Sequence, residues 1–281
     1  MMIDLDVAEG SRAKPSWIAD KSSSSIDALV NRAWREARVG AVATSEKLAM
    51  SISRDIVRQI GDGRLVPGSL LASEADMAAT YSVGRTSVRE ALRLLEVQGL
   101  INIRTGPGGG PTVVEPTTAD AGRMLSLHMN VRGCTFGDVA HARLEIDPVL
   151  AGLAAENATA NGIERLRDIV QVMEGISLGR NAEWARIASM FNAILAAMAG
   201  NSVLALMSSA LRAIYAERIS HIEYTAKMRK TAIAQYCRII DAIGENNAKK
   251  ARDSSFDLIN NSLTQMKKHH PDILEALVDW K

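Results

Sequence analysis

Residues 82–100 have the sequence SVGRTSVREALRLLEVQGL, which predicts one helix with two chemically different faces. Arginines recur in it at intervals of four residues, at Arg85, Arg89 and Arg93. Residues four apart lie on the same side of a helix, so these guanidinium groups share one face. The apolar residues that fall on another side are Val88, Leu92 and Leu95. A helix of this kind buries its apolar stripe and presents the arginines outward.

The segments on either side of this helix complete a small domain. Residues 45–60 have apolar side chains at helical spacing, and LVPGSLL at 65–71 predicts a turn centred on its Pro-Gly pair. A second helix follows, with Ser73 as its N-cap and Asp76 three positions later. Residues 101–113 predict a β-hairpin with a long Gly-Pro tip. Three helices followed by a hairpin are typical of a winged helix-turn-helix domain, whose third helix enters the DNA major groove.

The first turns of the arginine helix hold the side chains that we expect to meet DNA, namely Arg85, Thr86, Ser87 and Arg89. Backbone N–H groups at a helix N-terminus favour phosphate. A guanidinium there can hold a phosphate or pair bidentately with a guanine edge. Taken alone, the stretch also fits a solvated helix face on which Glu90 and Glu96 balance the arginines.

The rest of the chain predicts helices only. From about residue 117, six or seven amphipathic stretches follow one another with short Gly or Asn breaks. Before residue 45, Ser25 can cap a short helix that carries Trp34 on its apolar side. We therefore predict a mainly α protein with an accessory arm at 1–44, a winged helix-turn-helix domain at 45–116 and an all-helical domain at 117–281.

Composition limits the functions that the chain can have. Its 281 residues suffice for two domains, and its formal net charge of +1 gives no overall basic field, so a nucleic-acid partner must be argued from local charge. Cys134 and Cys237 lie far apart without a Cys-x-x-Cys spacing, which favours reduced thiols. The first residues are acidic where a signal peptide is basic, and no apolar run approaches the roughly 20 residues of a membrane span. We expect a cytoplasmic protein with no membrane partner.

Residues 61–109, from GDGRLVPGSLLASEADMAATYSVG through RTSVREALRLLEVQGLINIRTGPGG, resemble the DNA-binding domain of the GntR family of bacterial transcription regulators. The resemblance implies that Arg85, Thr86 and Arg89 contact double-stranded operator DNA. It also implies that the wing around Thr105 and Gly106 reaches the adjacent minor groove. Two positions depart from the family pattern: Ala75 replaces a DNA-contacting arginine, and Gly84 replaces a serine.

The wing sequence TGPGGGP, residues 105–111, also suggests a phosphate-cradling loop of a nucleotide site. Such a loop needs a lysine and a following helix, and here TVVEP follows instead, which favours a strand. The wing interpretation is therefore preferred.

Residues 136–266 resemble the FCD ligand domain of the FadR-like subgroup, through ARLEIDPVLAGLAAENA, FNAILAAMAGNSVL and QYCRIIDAIGENNAKKAR. In many relatives this domain holds a metal with an aspartate and three histidines. The corresponding positions here are Ala188, Asn192, Tyr236 and Leu258. None keeps the family's ligand, and the histidines of the chain are scattered, so we expect neither a metal nor another cofactor.

The resemblance places a small-molecule effector, with organic acids as candidates, in the helical domain near Arg143, Asn192 and Tyr236. Arg143 can bind a ligand carboxylate or phosphate bidentately, or it can pair with Glu145 for structure.

These features predict a homodimeric transcription regulator that reads two half-sites and responds to an effector. The alternative is a ligand-independent DNA-binding protein whose helical domain serves only dimerisation. We do not expect an enzyme, because the sequence has no clustered Cys-His pair and no carboxylate pair at a catalytic spacing.

Overall fold

A computed structural model of the chain describes residues 44–106, 109–219 and 222–280. The predicted arm helix with Trp34 lies outside these residues, as does His221. The contacts of the chain divide it into two compact units. One contains the described residues up to Leu65 together with Ala72–Leu94, and the other contains Val66–Leu71 and the chain from Leu95 onward.

The first unit is built from three helices, α1 Thr44–Gly61, α2 Glu74–Thr80 and the greater part of α3 Arg85–Val97. Its buried side chains come from all three: Ala49, Ile52, Ile56, Met77, Val88, Ala91 and Leu92. Hydrogen bonds join the helices as well, since the Ser53 hydroxyl of α1 donates to the carbonyl of Ala91 in α3 at 3.2 Å. The predicted helix order is therefore confirmed.

The short turn between α2 and α3 follows the predicted signals. The Ser73 hydroxyl accepts from the Asp76 backbone N–H at 3.2 Å, which confirms the N-cap. Ser82 adopts a left-handed φ of +53°, and this lets the chain reverse within a few residues before α3 begins at Arg85.

The hairpin consists of β1 Ile101–Arg104 and β2 Gly110–Val113, paired antiparallel with Ile101 opposite Val113. The segment before α2 contributes more than the predicted turn. Leu70 forms a bridge with Thr112, and the Leu71 N–H donates to the Pro111 carbonyl at 2.8 Å. The turn at 65–71 thus covers the outer edge of β2, a pairing that a local turn signal cannot reveal.

The remaining described elements are helices, which confirms the all-helical prediction. They are α4 Thr118–Val131, α5 Phe136–Glu156, α6 Ala160–Glu174, α7 Asn181–Met198, α8 Ser202–Ile219, α9 Ala226–Gly244, α10 Ala248–His269 and α11 Pro271–Glu275. Capping boxes start α4 at Thr117 and α5 at Thr135. The central helix α5 contacts α7, α8, α9, α10 and α11. None of the described helices combines the length and the apolarity that a membrane span requires.

A partly buried hydrogen bond between distant residues gives a test of the first unit. The Tyr81 hydroxyl donates to Asp55 Oδ2 at 2.8 Å, and this bond is the main reason that the pKa of Asp55 lies below its usual range. The pKa of Tyr81 rises to about 12, mainly through burial, so its hydroxyl keeps the proton that it donates. A depressed carboxyl pKa stabilises the fold above the unfolded pKa, and the stabilisation is lost as the pH falls through the folded value.

We expect Tyr81→Phe to lower the free energy of unfolding by about 1 kcal/mol at neutral pH. The difference from wild type should shrink at acidic pH, where Asp55 becomes protonated. Urea unfolding at both pH values measures this, with Asp55→Asn as the control that removes the titrating group. An equal loss at both pH values would contradict the assignment.

Candidate nucleic-acid interface and ligand cavity

Helix α3 separates its two faces as the sequence predicts. Val88, Ala91 and Leu92 are buried, whereas Arg85, Thr86, Arg89 and Arg93 are exposed. The helix begins at Arg85, so the first two of these polar side chains lie at its N-terminal end. That end presents free backbone N–H groups and guanidinium groups together, an arrangement suited to phosphate and to base edges.

Ser87 does not belong to this exposed face. Its side chain is only 5% exposed, because it lies four residues before Ala91 on the buried stripe of α3. A base edge cannot reach the Ser87 hydroxyl in this structure, and we leave it out of the candidate surface. Ser87 was predicted to contact DNA only because it lies within the first turns of the helix.

Arg89 has an acidic partner, although not one from its own helix. Its Nε lies 2.7 Å from Oε2 of Glu74 at the start of α2. Their side chains are 68% and 38% exposed. Exposed ion pairs contribute about 0–1 kcal/mol, so a phosphate can replace Glu74 at small cost. The pair orients the guanidinium without immobilising it.

The tip of the hairpin has a backbone that requires glycine. Thr105 and Gly106 are both exposed, and Gly106 has a φ of +104°. A Cβ added at Gly109 would meet the Arg104 carbonyl oxygen at 2.3 Å. The predicted wing residues Thr105 and Gly106 therefore lie directly after β1, and the backbone at Gly106 favours glycine.

A cavity of about 920 Å³ lies within the helical unit. Its wall includes Arg143, Asn192 and Tyr236, so the structure brings together the side chains expected to face an effector. Ala188 and Leu258 line it as well. The four positions that correspond to the family's metal ligands therefore meet at one cavity.

Those four side chains do not fit a divalent metal. Ala188 and Leu258 offer no donor, and the Asn192 amide donates to the Ala188 carbonyl at 3.0 Å. Burial raises the pKa of Tyr236 to about 12, so its phenol stays neutral. Its ring packs on Phe191, with the ring centroids 4.4 Å apart. Within the described part of the chain, no group of three or more His, Cys, Asp or Glu side chains could hold a metal ion. A metal site needs several good oxygen, nitrogen or sulfur donors at once.

The partner of Arg143 differs from the one that the sequence suggested. Glu145 is exposed, whereas Asp147, one turn after Arg143 on α5, is 4% exposed. Its Oδ2 lies 3.3 Å from Nη2 of Arg143 and 3.1 Å from Nη1 of Arg212. Residues two apart on a helix point in different directions, which excludes Glu145 from this pairing.

Arg212 and Ser208 complete a buried polar cluster that sequence reasoning missed. The Ser208 hydroxyl donates to Asp147 Oδ1 at 2.5 Å and accepts from Arg212 Nη2 at 2.5 Å. Burial lowers the pKa of Arg212 to about 10, against the opposing effect of Asp147, so it remains protonated at neutral pH. Arg143 and Asp147 are four residues apart on α5, and Ser208 and Arg212 are four apart on α8. This four-residue spacing of polar side chains on two helices was the sequence signal from which the cluster could have been predicted.

Four aromatic side chains also line the cavity, namely Trp184, Tyr215, Tyr224 and Tyr236. The guanidinium of Arg143 lies 5.2 Å from the ring centroid of Tyr215. Burial raises the pKa of Tyr224 to about 12, so this phenol is neutral too. Apolar walls with a few placed polar groups are typical of sites for small organic ligands.

Residues 175–179, GISLG, match the Gly-x-Ser-x-Gly pattern of a hydrolase nucleophile. That pattern acts at a strand-to-helix turn, whereas here it connects α6 to α7. The Ser177 carbonyl accepts from Arg229 Nη1 at 3.0 Å. This contact ties the loop between α6 and α7 to α9.

Comparisons with known proteins identify the families to which the two parts of the chain are similar. Residues 48–110 match the model of the bacterial regulatory proteins of the gntR family, and residues 138–261 match the FCD domain. The HTH-type transcriptional regulator Mce2R of Mycobacterium tuberculosis is 28% identical over 228 residues, which are 78% of this chain and 93% of that protein. The HTH-type transcriptional repressor NanR of Klebsiella aerogenes is 31% identical over 167 residues, 56% of this chain and 61% of that protein.

A solved structure supports the fold. The GntR protein of Streptococcus agalactiae superposes with a TM-score of 0.59 at 21% identity, over 79% of this chain and 99% of that chain. The two family models match in chain order, first the DNA-binding type and then the FCD domain. The chain is therefore a transcriptional regulator that belongs to the GntR family and carries an FCD domain.

Proposed function

We propose that this regulator binds double-stranded operator DNA as a homodimer and that a small-molecule effector in the helical domain controls the binding. The observation that carries the DNA contact is the exposure of Arg85, Thr86 and Arg89 on α3, opposite a fully buried stripe. Arginine and threonine at the start of a recognition helix are suited to both phosphate and base-edge contacts.

We assign each of these functions to one of the domains predicted from the sequence. We assign DNA binding to residues 45–116, with Thr105 and Gly106 of the wing directed at the minor groove. Residues 117–281 serve effector binding and dimerisation, and residues 1–44 are an accessory arm. A single recognition helix offers too few contacts for specific affinity, which favours a dimer on two half-sites.

The cavity supports effector control over the ligand-independent alternative. Its volume of about 920 Å³ is ample for a small organic molecule. Its wall combines aromatic rings with Arg143, a residue suited to a carboxylate. An organic acid matches both features. Its binding would favour one arrangement of the dimer over another, and operator affinity would change with that arrangement.

A candidate dimer surface lies on α4 and α8. The two helices pack closely, since a Cβ added at Gly122 would lie 3.4 Å from the Ala210 carbonyl oxygen and from the Ala213 Cβ. Their outer sides carry exposed apolar residues: Met124, Leu127, Val131, Val203, Leu206 and Met207. Contiguous exposed apolar surface marks interaction sites, and we assign this one to the second subunit.

For the DNA contact, the test begins with selection of bound fragments from a random-sequence pool by the wild-type protein. We expect Arg89→Ala to weaken binding to the selected sequence by about 1–3 kcal/mol if Arg89 reads a base, and to reduce the salt dependence if it holds a phosphate. Fluorescence anisotropy at several salt concentrations distinguishes the two. The exposed Arg165 of α6 gives the control, Arg165→Ala, which should bind like wild type. Unchanged affinity in a folded Arg89→Ala variant would remove Arg89 from the interface, and failure to enrich any sequence would contradict specific DNA binding.

For the dimer, we expect Leu206→Glu to place a charge in the apolar contact and shift the protein from dimer to monomer at micromolar concentration. Analytical ultracentrifugation reports the mass directly. Val172→Glu, at an exposed apolar position on α6, is the matched control and should leave the dimer intact. A Leu206→Glu dimer of wild-type stability would show that the subunits meet elsewhere.

For the metal, we expect protein purified without a histidine tag to contain no stoichiometric divalent ion. A chelator should leave the melting temperature unchanged, because the four side chains at the family's metal positions supply no adequate donor set. Elemental analysis together with melting curves before and after chelation gives the answer. A stoichiometric metal, or a large drop in melting temperature on chelation, would refute this expectation.

A further inference from the structure

Among the described residues, the buried cluster between α5 and α8 holds two positive charges and one negative charge. Two guanidinium groups, those of Arg143 and Arg212, share the single carboxylate of Asp147. Arg212 and Asp147 are each more than nine-tenths buried. An unpaired charge away from water is costly, so an anion bound beside the two arginines would be stabilised.

Both arginines also retain hydrogen-bonding capacity beside the cavity, whose wall they line. Arg143 donates one long hydrogen bond to Asp147, at 3.3 Å, and its buried Nε has no hydrogen-bond partner in the described structure. Within the described residues, Arg212 donates from two of its five N–H groups, to Asp147 and Ser208. A buried arginine N–H without an acceptor indicates a place for a ligand oxygen.

The other charged side chains of the cavity wall are Glu223, Lys227, Lys268, His269 and His270. All are exposed except His270, which is half-buried, so solvent screens most of their charge. The arginine pair therefore sets the field in the buried part of the cavity. One carboxylate would neutralise the excess charge, whereas a phosphate monoester would leave extra negative charge in a buried site.

We propose that Arg143 and Arg212 anchor the carboxylate of the ligand directly, in place of a metal, and that Asp147 is an internal counter-ion that competes with the ligand for them. Ser208 is a positioning residue, because it fixes both Asp147 and Arg212 through its hydroxyl. The inference rests on the proposed role of the cavity as the effector site. It adds Arg212 to the ligand-binding residues and gives Asp147 an effect opposite to that of the arginines.

The experiment uses the full-length protein without DNA and sodium benzoate as the probe. A carboxylate on an aromatic ring matches the arginine pair and the tyrosine-rich wall. Melting curves and calorimetric titration compare benzoate with benzamide, with phenyl phosphate and with sodium chloride at equal ionic strength. We expect benzoate at millimolar to tens of millimolar concentration to raise the melting temperature, benzamide and chloride to have no effect, and phenyl phosphate to bind more weakly. A chelator should not change the result.

The variants distinguish an anchor from a structural cluster. Arg212→Gln should weaken benzoate at least about tenfold, as expected for loss of a charge-assisted hydrogen bond. Asp147→Asn should tighten it about threefold or more while lowering the melting temperature of the free protein, since a competing negative charge is removed. Arg218→Gln is the matched control, because Arg218 lies on the same helix and pairs with Asp279 outside the cavity. If Arg212→Gln does not fold, Arg143→Gln takes its place.

Two results would contradict the proposal that the arginines anchor the ligand carboxylate. They are no response of the wild type to benzoate, or weaker benzoate binding in both Arg212→Gln and Asp147→Asn. Effector control is judged separately, by operator affinity with and without saturating benzoate or another acid that binds. A ligand that binds as described without changing operator affinity would leave the anchor standing and refute its proposed regulatory role.

Discussion

The buried carboxylate of Asp147 is the interaction on which the helical domain depends most. It holds Arg143 on its own helix and, across the bundle, Ser208 and Arg212 on α8. These contacts fix the position of the central helix α5 against α8 and place two cationic side chains at a cavity. The opposite side of α8 carries exposed apolar residues such as Leu206, which we assign to the dimer. One helix therefore links the proposed ligand anchor to the proposed subunit interface, and in the proposed dimer a change in how Arg212 is held would alter how the two subunits meet.

The DNA-binding part rests on a simpler constraint, the spacing of side chains on α3. Burial of Val88 and Leu92 fixes the rotation of this helix, and that rotation leaves Arg85 and Arg89 in solvent. The ion pair with Glu74 orients the Arg89 guanidinium, and breaking this exposed pair costs little free energy. Affinity for phosphate then comes from local charge, in a protein whose net charge is only +1.

The cavity is lined by the four positions that correspond to the family's metal ligands, but their side chains have a different chemistry. Alanine and leucine at two of the family's metal positions, with Asn192 and a neutral Tyr236 at the others, remove the donors that a metal needs. They also make that part of the wall less polar. Positive charge is still present at the cavity, but it is supplied by arginines of α5 and α8. Arginine offers a planar set of N–H donors that matches a carboxylate, and it remains charged even when partly buried.

The sequence by itself determined the helix order, the N-cap at Ser73, the hairpin and the outward face of Arg85 and Arg89, because each follows from local spacing and capping chemistry. It also placed Arg143, Asn192 and Tyr236 correctly at one cavity, through family resemblance. Only the tertiary structure decided the rest. It buried Ser87, paired Arg89 with Glu74 of another helix, added Leu70 to the hairpin, and gave Arg143 the partners Asp147 and Arg212. Apart from the Arg143–Asp147 pair, these contacts join residues that are distant in sequence or depend on how a helix is rotated in its core, and a linear pattern does not specify either.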